Sequence, residues 1–204
     1  MSTKRTTLLA VLLLSAGIGA APQVPPLAPP NQTQPMVQEI VSAQAFEERV
    51  NQYVTLHRLL ERPLPPLRPT LDMTQIQGSM RALAVRIQQA RANAQQGDLI
   101  TPDVGRMFRR RIATCLSPDE WAAIFADNAG EEEDMETGPP PALRVNMEWP
   151  EHVLFGFVPP QLLAALPRLP PELQYRIIGN ALVLWDHHAN LIVDFLPGAF
   201  TITS

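Results

Sequence analysis

Proline sets the outer limits of what this chain can fold into. Twenty-two of its 204 residues are proline, and a proline inside a helix removes a hydrogen bond and clashes with the preceding turn. Regular structure is therefore confined to the intervals between Pro22–Pro35, Pro63–Pro69, Pro139–Pro141 and Pro167–Pro171. From Pro22 to Pro35 six of fourteen residues are proline, mixed with Gln, Asn and Thr. Such a stretch lacks apolar mass and predicts an extended tether over 21–43.

The first interval carries helix signals. Phe46, Val50, Tyr53, His57 and Leu60 recur at steps of four and three, which draws one stripe on a helix over 45–61. Ile76, Met80, Leu83, Ile87, Ala90 and Ala94 continue the pattern over 72–96, with Asp72 as cap and Gly97 as left-handed terminator. Thr101-Pro102-Asp103 and Ser117-Pro118-Asp119-Glu120 open two shorter helices, the second with a capping box between Ser117 and Glu120. The acidic run Glu131–Glu136 and the prolines after it predict a solvated loop over 131–143.

The last sixty residues change period. Val145–Trp149 reads as a short strand, and 160–166 as two turns of helix. Tyr175–Ile178, Ala181–Trp185 and Leu191–Leu196 then read as three strands, with Gly179-Asn180 as the first hairpin turn. With His187–Asn190 as a four-residue loop, Tyr175, Ile177, Leu182, Leu184, Val193 and Phe195 share the core face. Arg176, Val183 and Asp194 then share the outer face, where Arg176 and Asp194 can pair. The expected fold class is α+β: an N-terminal helical hairpin, two shorter helices and a C-terminal three-stranded antiparallel β-meander. The helical part (44–130) and the segment 144–200 form one domain.

Lys4 and Arg5, the apolar run Leu8–Ala20 and the small residues at its end form a secretory signal over 1–20, with cleavage expected after Ala20. The run is too short to span a bilayer, so contact with the membrane is expected only through this segment before cleavage. The expected location is periplasmic or secreted. Of 16 basic and 20 acidic residues, cleavage removes two basic ones and leaves 14 against 20, a net charge of −6. That balance argues against nucleic acid as a partner. Cys115 has no second cysteine to pair with, so the core must supply stability in an oxidising compartment.

The pattern Leu169-Pro170-Pro171-Glu172-Leu173-Gln174-Tyr175-Arg176, then Gly179, Leu182, Leu184 and Asp186, then Ala189-Asn190-Leu191-Ile192-Val193-Asp194, resembles a family of uncharacterised exported bacterial proteins. The likeness runs back through Gln96-Gly97-Asp98 and Thr101-Pro102-Asp103-Val104 to about Phe46. It implies no activity and no catalytic residues. The final meander alone is similar to the terminal meander of periplasmic proteins linked to nickel and cobalt homeostasis.

Three sets of residues are candidates for function. Asp186, His187 and His188 offer a carboxylate and two imidazoles suited to a divalent transition metal, with His152 as a further ligand. Adjacent residues of a strand point to opposite faces, so the loop would have to make them converge. Arg106, Arg109 and Arg110 share one side of the third helix and could dock an acidic ligand, or pair with Glu131–Glu136. His57, in an apolar stripe, reads as a core histidine bonded to a carbonyl, and Cys115 as an inert buried thiol. No hydrolase, phosphate-loop or paired-cysteine motif occurs. No catalytic residue or bound cofactor is therefore assigned. The leading expectation is a non-enzymatic exported protein that binds or scaffolds an envelope protein. The alternatives are a periplasmic metal sensor or carrier, and a hydrolase without a familiar signature.

Overall fold

The computed structural model describes residues 33–66, 68–115, 117, 119–124, 142–150 and 158–200. The segment expected to be a secretory signal, the expected tether up to residue 32, His152 and the expected Glu131–Glu136 loop lie outside the described residues. Those described fall in one compact unit, 33–204.

The order is α1 (Thr33–Glu61), α2 (Met73–Ala90), α3 (Pro102–Cys115), α4 (119–124), α5 (Pro160–Ala165), β1 (Leu173–Ile178), β2 (Ala181–Asp186) and β3 (Leu191–Leu196). The arrangement is α+β, with an antiparallel sheet in the order β1-β2-β3. Helix α1 packs against both α2 and α3.

Helix α1 begins at Thr33, inside the segment expected to be a tether. Pro35 falls in its first turn, where a missing N–H costs nothing. The added turns carry Met36, Val37, Ile40 and Val41, all at least half exposed, so no buried stripe announces them. Further along, Phe46, Val50, Tyr53, Val54 and His57 are buried.

Helix α2 starts on Asp72, whose carboxylate accepts from the amides of Thr74 (2.9 Å) and Gln75 (3.4 Å). It stops at Ala90 rather than 96, where the Asn146 side chain donates to the Arg91 carbonyl at 2.7 Å. Gly97 does take a left-handed φ of 96°, but in the turn beyond α2. The capping box forms as expected: the Ser117 amide donates to Glu120 Oε2 at 2.7 Å, and the Glu120 amide to Ser117 Oγ at 3.3 Å.

The meander turns at Gly179, whose φ is 54°, so that Ile178 opposes Ala181. A positive φ at the first central position suits the twist of a two-residue hairpin. The second loop spans four residues, with Asp186 opposite Leu191. Register then slips between Leu184 and Trp185: Leu184 opposes Asp194, while Trp185 opposes Ile192. This bulge leaves Val193 as an extra residue and reverses the facing of Asp194, Phe195 and Leu196. Phe195 consequently joins the second apolar cluster rather than the main core.

The bulge turns Asp194 inward, which corrects the expected surface pair with Arg176. Asp194 is fully buried, and its carboxylate accepts from the amides of Gly97 (2.9 Å), Leu99 and Ile100 (both 2.8 Å), and its neighbour Phe195 (2.8 Å). Arg176 instead lies over the Trp185 ring at 5.3 Å. The sheet face expected to meet solvent is covered: Trp149, Ile178, Val183, Trp185 and Ile192 form a second buried cluster. The segment 142–150 supplies that cover without forming a strand. Asn146, at φ 64°, breaks its extension, so that it meets β3 through a single bridge, Glu148 opposite Leu191, and the backbone hydrogen bonds around it (Asn146 N–H to Ile192, Ile192 N–H to Met147 and Trp149 N–H to Asn190). The main cluster fills the space between the other face and the helices, including Leu83, Ile87, Phe108, Leu162, Tyr175 and Leu184.

Removing the Asp194 carboxylate would strand three amides of the 97–100 turn in a dry environment. Asp194→Ala is expected to cost about 3 kcal/mol of stability, since each buried donor left unpaired costs about 1–3 kcal/mol. The shift in urea midpoint reads this directly; a loss under about 1 kcal/mol would contradict it.

Candidate metal centre

Three residues of α1, Tyr53, His57 and Glu61, recur every four positions and lie along one face. The end of β2 brings Asp186 against the first two. Its Oδ2 accepts from the Tyr53 hydroxyl and from His57 Nδ1–H, each at 2.6 Å. Its Oδ1 accepts from the backbone amides of His188 and Ala189, each at 3.0 Å. The second pair makes an Asx-type turn that shapes the β2–β3 loop. Four donors thus converge on one fully buried carboxylate.

The consequence for His57 is a fixed ring. With Nδ1–H committed to Asp186, the second nitrogen, Nε2, points away from the carboxylate. Among the described residues it has no hydrogen-bond partner, although the side chain is fully buried. Glu61 Oε2 lies 3.5 Å from it, beyond a good hydrogen bond. Glu61 Oε1 lies 3.6 Å from His188 Nδ1, contributed by the loop. Potential ligand atoms of His57, Glu61 and His188 all fall within 4.8 Å of one another.

These separations are informative. Zinc bonds of about 2.0–2.1 Å at tetrahedral angles place neighbouring ligand atoms about 3.3 Å apart. One oxygen of Glu61 stands at nearly that separation from His57 and the other from His188, so the carboxylate lies between the two imidazoles. Behind His57, Asp186 supplies the carboxylate that orients metal-binding histidines and raises their basicity.

The electrostatics ask for a positive charge at the same point. Burial works against charge on His57, but the hydrogen bond and charge of Asp186, with the charges of Glu61 and Glu172, outweigh it and raise the imidazole above its ordinary value. Burial also opposes the Asp186 anion, yet His57, Tyr53 and the Ala189 amide hold its carboxyl below the usual range. Tyr53, raised by burial and by the Asp186 anion, stays a donor. Nearby, Arg58 Nε donates to Glu172 Oε1 at 2.6 Å and keeps that carboxylate ionised despite its burial.

The metal-free chain should therefore lose stability at both ends of the pH scale. The raised histidine contributes fully below its unfolded value of about 6.5 and loses that contribution as pH climbs through the higher folded value. The depressed aspartate contributes above about 3.9 and loses its contribution as pH falls through the lower folded value. The urea midpoint is expected to fall at both ends, and Asp186→Asn to flatten both limbs. A profile with neither limb would contradict this coupling.

The candidate residues sort differently from their order in sequence. His188 joins the cluster. Asp186 stands behind His57 as its orienting partner, so its oxygens are not free to ligate. His187 leaves the site: its Nε2 donates to the Pro171 carbonyl at 2.6 Å. His57 is a core histidine as expected, but its partner is a carboxylate rather than a carbonyl. Glu61 is the member that sequence reasoning missed, although His57 and Glu61 stand at the i, i+4 spacing that places two ligands on one helix face.

The arginine cluster stays on the exposed side of α3. Arg106 pairs with Asp103, Arg109 donates to the carbonyls of Pro197 (2.8 Å) and Gly198 (3.1 Å), and Arg110 is exposed on α3. The adjacent Arg111 pairs with Glu39 at 2.8 Å. Cys115 is half-buried, its thiol donates to the Arg111 carbonyl at 2.9 Å, and burial raises its pKa, all consistent with an inert thiol.

A cleft of about 590 Å³ opens beside the centre, lined by Glu61, Arg62, Leu64, Met80, Leu83 and His188 among others. A Ser-His-Asp hydrolase needs a nucleophile bonded to the free nitrogen of its histidine. Among the described residues His57 Nε2 has none. No described helix is long and apolar enough to cross a membrane. No protein-family model, curated protein or solved structure matches this chain significantly.

Proposed function

We propose that this chain is an exported protein that binds one divalent transition-metal ion, zinc in the first instance, through His57, Glu61 and His188. The observation that carries this reading is the convergence of His57, Glu61 and His188 ligand atoms within 4.8 Å, the two Glu61 oxygens lying 3.5 and 3.6 Å from one imidazole each, beside a buried nitrogen without a partner among the described residues. Two imidazoles and a carboxylate suit zinc, nickel or copper rather than magnesium or calcium. Metal binding ranks above envelope scaffolding because His57, Glu61 and His188 offer a defined donor set, whereas Arg106, Arg109 and Arg110 offer only exposed positive charge on α3. Export rests on the cationic and apolar opening over 1–20.

Calorimetry of the chain without residues 1–20 tests the reading. One zinc ion per chain is expected, with the stoichiometry kept in His187→Ala. Absence of binding, or loss of binding in His187→Ala with full retention in His188→Ala, overturns it. Fractionation tests the compartment: processed protein outside the cytoplasm supports export, and cytosolic protein that keeps Met1 contradicts it.

A further inference from the structure

Resting on that metal-binding reading, we propose that the ion keeps one coordination position open to the neighbouring cleft, and that this position takes an aliphatic monocarboxylate. His57 reaches the centre from the fully buried side, backed by Asp186 and Tyr53. Glu61 and His188 also line the cleft, with side chains 46% and 40% exposed. Three protein ligands fill three of four tetrahedral positions, the arrangement of a zinc site that exchanges a ligand rather than a closed structural one. Protein occupies the inner side, so the fourth position faces the cleft.

The cleft states what the ligand's body must be. Leu64, Pro65, Pro66, Met80 and Leu83 provide apolar walls, and a volume of about 590 Å³ lies within the range of small-molecule sites. Charge states what its head must be. The two charges of the ion are balanced by Glu61 and Asp186, and Arg62 adds a positive charge at the same cleft. An anionic head that coordinates the ion, joined to an apolar chain, satisfies both ends. A cation is repelled, and a compact anion such as acetate leaves the apolar walls wet.

The test uses the chain without residues 1–20, loaded with cobalt(II), whose visible absorption reports coordination. Octanoate is expected to shift that absorption and to bind at least tenfold more tightly than acetate. Arg62→Ala, a change at an exposed side chain, is expected to weaken octanoate several-fold, and Met80→Asp to erase its preference over acetate. A cobalt spectrum that octanoate leaves unmoved, or equal binding of octanoate and acetate, overturns the cleft ligand while leaving the metal site standing. No cobalt spectrum at stoichiometric loading overturns both.

Discussion

Asp186→Ala is expected to lower the free energy of unfolding by about 4 kcal/mol, the largest loss of any single substitution at the centre. Breaking a buried charged pair by removing one partner costs about 3–5 kcal/mol, because the remaining group stays buried and unmatched. Here the stranded groups are the Tyr53 hydroxyl, His57 Nδ1–H and the amides of His188 and Ala189. Asp186→Asn separates charge from shape. It keeps the volume and one oxygen for the two loop amides, but turns an NH2 group towards two existing donors. Its cost is expected to be smaller, about 2–3 kcal/mol. Urea unfolding of the metal-free protein reads both. If alanine at this position costs less than about 1 kcal/mol, Asp186 does not organise the centre.

His188→Ala and Glu61→Gln are expected to weaken zinc at least about 100-fold each while leaving the metal-free fold nearly unchanged. The contrast with Asp186 arises from burial. Both side chains lie at the cleft, 40% and 46% exposed, and a polar contact of this exposed kind is worth at most about 1 kcal/mol. Their value is realised only when an ion joins them to His57. A ligand that binds only the folded state at 100 times its Kd stabilises by about 2.7 kcal/mol. For a domain of this size that raises Tm by about 5–10 °C. The wild-type chain is expected to show this rise with zinc, and each variant to lose most of it at the same concentration. A full zinc-dependent rise in both variants would mean that the ion binds elsewhere.

Local rules carry far in this chain and stop where distant segments meet. The stripe from Phe46 to His57, the Asp72 cap, the Ser117–Glu120 box and the Gly179-Asn180 turn all depend on neighbours within a few residues, and each forms as the sequence predicts. The start of α1 at Thr33 is hidden because its first turns bury little, so periodicity has nothing to register. The end of α2 falls short of its periodic pattern because the side chain of Asn146, from a distant segment, closes it at Arg91. The bulge is invisible for a similar reason. An aspartate on an apolar face reads as a register error until the amides of Gly97, Leu99 and Ile100 are known to wrap it.

The candidate centre is half legible. His188 lies in the Asp-His-His run that draws attention to a metal, and His57 stands out as a polar residue in an apolar stripe. Their convergence is not readable, because α1 and the β2–β3 loop are separated by some 130 positions of chain. The His57–Glu61 spacing is the one local signal that leads there. It is easily passed over because the helix face it marks is otherwise core, which is also why the nitrogen it presents is shielded from water.

Whether His57, Glu61 and His188 together hold one ion, with Asp186 behind the first, is tested most directly by a crystal structure of the zinc-loaded chain, with the ion located by its anomalous scattering. One fully occupied peak is expected about 2.0–2.2 Å from His57 Nε2, a Glu61 carboxylate oxygen and His188 Nδ1, with the Asp186–His57 bond intact. A peak at His187 or on the arginine-rich helix, or zinc-grown crystals with no ordered ion, would contradict it.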